Sequence, residues 1–144
     1  MNSPVVIDAS LAIFSVLNTT HSAAAARVMD HLAQRGYVPF APGLWWYEVT
    51  SVIHRYRFAG IISEAIAYQA LELLTASLGV QQIDVSVRSA FDWATRLRQK
   101  AAYDGFYLAA AEQLGAELWT ADQALVNNVQ QIGVSWVHWM GEIE

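Results

Sequence analysis

The chain has 144 residues, 55% of them hydrophobic and 15% charged, so it is large enough for one cored domain and too apolar to stay disordered. A net charge of −5 argues against a protein that coats nucleic acid, and the absence of cysteine excludes disulfides and thiolate metal sites. No apolar run reaches the roughly 18 residues that span a bilayer, and "MNSPVV" lacks a basic leader, which together predict a cytoplasmic protein with no membrane partner.

Taken in order, "PVVI" reads as a short apolar strand, with Asp8 or Ser10 capping the helix "SLAIFSVLN". "SAAAARVMDHLAQRG" reads as an alanine-rich helix closed by Gly36, and "YVPFAP" as a short extended segment. The next helix runs from about Leu44 to Phe58 and ends at Gly60; Ser63 opens another, "SEAIAYQALELLTASLG". "VQQIDV" is a mixed strand and "SVRSAFDWATRLRQ" an amphipathic helix. Asp104 starts "GFYLAAAEQLG", "AELWTAD" is a strand, "QALVNNVQQIG" a short helix and "VSWVHW" a last strand. No repeat or linker divides residues 1–144, so a single domain is expected. Short strands alternating with helices imply a helix-rich α/β/α sandwich around a mainly parallel sheet.

On this layout Asp8 and Asp122 follow the C-terminal ends of strands, the edge where loops converge and sites collect in open α/β sheets. Asp104 begins a helix that can point to the same edge. Glu48 sits among Trp45, Trp46, Tyr47 and Val49, an unusual place for a carboxylate. Each aspartate has a plain structural role open to it as a helix N-cap, and Glu48 could face water. Gathered together, carboxylates about 5 Å apart repel by roughly 3 kcal/mol per pair at an effective dielectric near 20. Such a cluster calls for a cation. Oxygen ligands without cysteine or paired histidines suit Mg²⁺ or Mn²⁺ better than zinc. An ion of that kind accepts phosphate oxygens and activates water, so hydrolysis of a nucleic-acid strand is the leading expectation.

Four motifs carry a family resemblance over essentially the whole chain: "VVIDAS", "LWWYEVTSVIHR", "AAYDGFYLAAAEQLG" and "AELWTAD". In that order they resemble the PIN-domain ribonucleases, most closely the VapC-type toxins of bacterial toxin–antitoxin pairs. The resemblance implies a PIN-like fold and an endoribonuclease in which Asp8, Glu48, Asp104 and Asp122 are the catalytic and metal-binding acids. It also implies Thr120 as a support for metal or water, Mg²⁺ or Mn²⁺ as cofactor, an RNA substrate, a cognate antitoxin and a homodimer. Ser10 stands close enough in sequence to Asp8 to support a metal water or to cap the helix. Gly105 occupies a position where the family commonly has alanine, a mild departure.

The remaining polar residues are weaker signals. Arg96, Arg98 and Lys100 read as a solvated helix end or a phosphate guide, and Arg55 and Arg57 as partners for acids or substrate. His21, His31, His54 and His138 lack zinc-type spacing and read as surface or packing residues. Leu11, Phe14 and Leu17, with Trp45 and Trp46, could line a groove for an antitoxin's tail or could fill the core and a dimer interface. No "GxSxG", "GxxxxGK[ST]" or "GxGxxG" occurs, "DAS" lacks the second acid of an aspartyl phosphatase, and no paired N-terminal acids mark a receiver domain. A PIN-like scaffold that binds RNA or protein without cutting is the alternative outside catalysis.

Overall fold

The computed structural model describes residues 2–143. Five strands, β1 (Ser3–Ile7), β2 (Tyr37–Pro42), β3 (Gln81–Ile83), β4 (Leu118–Thr120) and β5 (Val137–Trp139), form one sheet in the order β3-β2-β1-β4-β5. Every pairing is parallel. Seven α-helices connect them among the described residues: α1 (Ala9–Val16), α2 (Ser22–Gln34), α3 (Leu44–Phe58), α4 (Glu64–Glu72), α5 (Val87–Leu97), α6 (Tyr103–Leu114) and α7 (Gln123–Gln131). The architecture is an α/β/α sandwich with a parallel sheet.

Strand β1 is central and buried on both faces, with Val5, Val6 and Ile7 sealed from solvent, as a continuous apolar run in a parallel sheet requires. From β1 the chain steps outward through β2 to β3, then crosses back to β4 and continues to β5. Right-handed crossovers therefore put α1–α4 on one face and α5–α7 on the other. The packing agrees: α1 lies against α2 and α3, whereas α6 covers β1, β2 and β4 and carries α5 on its back.

Most expected elements recur with boundaries moved by a few residues, and α3 spans Leu44–Phe58 as its sequence suggests. Two differ in kind. The extended "YVPFAP" is an internal strand despite Pro39 and Pro42. It tolerates them because only Phe40 is in register with both neighbours: Pro39 pairs with β1 alone, at Val5, and Pro42 with β3 alone, at Ile83. The helix from Ser63 does not continue regularly to Gly79 but passes after Glu72 into a π-helical turn, Leu73–Ser77. That wider turn carries fully buried Leu74 in the core and packs against α1.

Of the residues considered for an apolar groove, Leu11, Leu17 and Trp45 are buried in the core and cannot line one, whereas Phe14 and Trp46 pack against it and stay half-buried. Trp45 and Trp46 divide the labour: the first is fully buried, the second half-buried with its ring edge-on at 4.8 Å.

Candidate active site

The strand order reverses direction between β1 and β4, which opens a crevice at the C-terminal edge of those two strands. Asp8 follows β1 directly, and Asp122 lies two residues beyond β4. Helices α1, α3 and α7 begin at this edge because each follows a strand, and α6 begins there because it descends to enter β4. Glu48 sits in the second turn of α3 and Asp104 in the first turn of α6. Topology thus brings all four acids to one edge, together with the positive ends of four helix dipoles.

Asp8 is the anchor. It is 8% exposed and caps α1, with Oδ1 accepting from the Leu11 N–H at 3.1 Å and the Ser10 hydroxyl at 2.8 Å. Its other oxygen accepts from the hydroxyl of fully buried Thr120, which in turn accepts from the Asp122 N–H at 2.9 Å. Ser10 also accepts from the Ala121 N–H at 3.4 Å. Asp122 caps α7 through the Leu125 N–H at 3.1 Å. The capping role foreseen for Asp8 and Asp122 is therefore real and coexists with their place at the site. Asp104 is different: Ala102 is the N-cap of α6, and the Asp104 carboxylate makes no cap.

Burial pushes the Asp8 carboxyl up to about 6, against the lowering effect of its three hydrogen bonds, and the neighbouring charge of Asp104 adds to the rise. Burial also raises Glu48 and Asp104; Glu48 feels the charge of Asp104, and Asp104 that of Asp122. Asp104 is thus the electrostatic hub of the four. None of them has an Arg, Lys or His ion-pair partner among the described residues.

Two partners were not evident in the sequence. The Tyr107 hydroxyl donates to Glu48 Oε1 at 2.6 Å, so Glu48 is held inward rather than facing water. Burial and the Glu48 charge together push that phenol far above its usual range, so it stays a donor. Gln99 Nε2 donates to Asp104 Oδ2 at 2.9 Å. Tyr107 lies one turn beyond Asp104 on α6, a spacing that offered a signal; Gln99, inside a basic run, offered none. A third constraint is Gly105. A Cβ there would stand 2.2 Å from the Ala90 carbonyl oxygen of α5, so alanine cannot be accommodated without moving backbone. The departure at Gly105 is a packing requirement of the helix that carries Asp104.

Among the described residues no three His, Asp or Glu side chains are grouped to hold a metal ion. By chemistry the set nevertheless fits a hard cation: oxygen donors, no compensating cation, and a buried Gln99 Oε1 with no hydrogen-bond donor beside Asp104.

Arg96 stacks over Trp93 at 4.3 Å, and Arg57 pairs with Glu64 at 3.4 Å on the surface. His138 bridges Glu117 at 2.6 Å and Glu142 at 2.9 Å and stacks on Trp119. No helix among the described residues is long and apolar enough to cross a membrane.

Comparison with known proteins gives the fold. No family model matches the chain, and no curated protein matches it. Among solved structures it is similar to the crystal structure of PAE2754 from Pyrobaculum aerophilum, with a TM-score of 0.65, 20% identity, and coverage of 89% of this chain and 87% of that one. At that identity the likeness speaks for architecture.

Proposed function

We propose that the chain is a metal-dependent endoribonuclease of the PIN type, the VapC-like toxin of a toxin–antitoxin pair, acting in the cytoplasm. One observation supports this: four carboxylates from four separate stretches of chain lie at the switch-point edge, near enough that Asp8 and Glu48 feel the charge of Asp104 and Asp104 that of Asp122, with no cation to offset them. Asp8, Glu48, Asp104 and Asp122 would hold Mg²⁺ or Mn²⁺, and an ion bound there offsets phosphate charge and activates water. The rest falls to the protein. Thr120, Ser10 and the Leu11 N–H fix Asp8; Tyr107 fixes Glu48; Gln99 fixes Asp104. The helix N-termini at the edge favour a phosphate backbone over a neutral ligand.

The resemblance also points to an antitoxin and a second copy of the chain as partners. Uncovered apolar side chains on and just beyond α3 and on α4, among them Phe58, Ile61 and Tyr68, are surface that partners of this kind would cover. A non-catalytic scaffold is favoured by a single observation, that the acids are not grouped at metal-holding distance.

The purified protein is expected to cut RNA with Mg²⁺ or Mn²⁺, to stop in EDTA, and to lose cleavage by at least about a hundredfold in Asp104→Asn with the fold retained. Undiminished cleavage in EDTA or by Asp104→Asn would remove the metal site; absence of cleavage by the parent protein with either ion would favour the scaffold.

A further inference from the structure

We infer that Tyr47 and Tyr103 form a stacking post for the bases of single-stranded RNA beside the acidic edge, with Arg55 taking a neighbouring phosphate. The inference rests on the nuclease assignment above and adds where its substrate lies.

Tyr47 is 77% exposed and Tyr103 60% exposed, although neighbouring Trp45 is fully buried. Each tyrosine directly precedes a site acid, Glu48 or Asp104, and the two sit on different helices. Both residues border two neighbouring clefts, each of which Leu44 also lines. The first cleft, about 240 Å³, contains Glu48, Ser51 and Arg55. The second, about 360 Å³, is walled by Ile83, Val85 and Phe106 and has Gln82 and Asp84 among its polar lining. The tyrosines therefore stand between a cleft that holds a site acid and one that is largely apolar with a few polar groups.

Glu48, Ser51 and Arg55 follow one stripe of α3, three and four residues apart. Seven residues of helix rise separate Glu48 from Arg55 by roughly 10 Å, near the acids but off them. Arg55 has no carboxylate partner among the described residues, whereas Arg57 is paired with Glu64. A free guanidinium on the far wall of a cleft that begins at a carboxylate matches a strand whose phosphates run along it. Exposed aromatic faces select the form of that strand. Bases in a duplex are already stacked on each other, and only unpaired ones can lie on a side-chain ring. Phenyl rings stack as phenol rings do, so the function belongs to the ring.

Binding is measured with a fluorescein-labelled unpaired RNA oligonucleotide and with the same sequence as a perfect duplex, in Mg²⁺, using Asp104→Asn protein to prevent cleavage. Tyr47→Ala and Tyr103→Ala should each weaken the single strand by about tenfold or more. Tyr47→Phe and Tyr103→Phe should bind like the parent, and the duplex should bind weakly and equally to all. Arg55→Gln should weaken the single strand and flatten its salt dependence by about one ion. With Asp104 restored, ring loss should raise KM and leave kcat nearly unchanged. Both tyrosines lie outside the core, and melting curves verify that the variants fold. Single-strand binding indifferent to the alanine variants, or phenylalanine as damaging as alanine, overturns the stacking post while the nuclease assignment stands. A parent protein that neither binds nor cuts RNA overturns both.

Discussion

Two groups of carboxylates on this fold meet the same repulsion differently. Near β5, Glu117 and Glu142 flank His138, whose two ring nitrogens each face one carboxylate, so each acid of the group has a polar nitrogen of the protein against it. At the edge between β1 and β4, Asp8, Glu48, Asp104 and Asp122 have hydroxyl, amide and phenol donors but no base or cation, and burial, with the neighbouring acid charges, makes three of them hold protons more tightly. Dipolar donors orient a carboxylate without neutralising it. In the proposed enzyme a metal ion would supply the positive charge that the edge lacks, whereas each acid of the β5 group already has a ring nitrogen against it.

The largest expected effect is on Asp8. Its folded-state carboxyl titrates near 6 against an ordinary 3.8, so between those values the folded chain holds a proton the unfolded chain has lost. Stability from this group therefore falls as pH rises from about 4 to 6, by roughly 3 kcal/mol in full. Asp8→Asn should raise the melting temperature at pH 7, and the gain should vanish toward pH 4. The amide returns part of the gain, since one hydroxyl donor must turn to accept from it. An equal shift at both pH values would show that charge is not what burdens the site. Mg²⁺ should stabilise the parent and leave Asp8→Asn nearly unmoved.

Gly105→Ala is the next. It should cost about 1–3 kcal/mol by forcing α6 off α5, and it should lower cleavage because Asp104 shifts with its helix while the His138 group is untouched. A variant with parental stability and activity would mean that α5 yields at no cost.

Tyr107→Phe should cost about 1 kcal/mol. The lost hydrogen bond had lowered the Glu48 carboxyl, so its removal raises that group further, and the acid limb of the pH–rate profile should move to higher pH. An unmoved limb would detach Glu48 from the rate. His138→Gln is the smallest. Its ion pairs are partly exposed and contribute less than about 1 kcal/mol, so a slightly lower melting temperature with unchanged cleavage is expected; a fall in cleavage would join the two groups that the comparison separates.

Legibility in the sequence followed the range of the interactions. The limits of α3, the cap at Ser63 and the strand-end positions of Asp8 and Asp122 are written in local signals, namely glycines, hydroxyls and apolar runs. Bringing the four acids to one edge needed only the alternation of strands and helices. The spacing of Tyr107 from Asp104 marked its face of α6 but not its partner, because the hydrogen bond to Glu48 joins residues 59 apart in sequence; the close approach of Gly105 to Ala90 joins two helices and has no local signature. Gln99 was hidden by its setting between Arg98 and Lys100, where charge drew notice instead. The burial of Leu11, Leu17 and Trp45 was undecided because a helical stripe looks the same whether it meets the core or a partner.

The position of β4 has a consequence for synthesis. Strand β1 pairs with β4, and Asp8 takes a hydroxyl donor from Thr120, 112 residues later. A nascent chain that has emerged through Leu114 already contains Asp8, Glu48 and Asp104. It still lacks β4, so the central strand has an open edge and Asp8 lacks its Thr120 donor. The acidic edge therefore closes only once β4 is free to pair, and folding waits on a contact between stretches 112 residues apart.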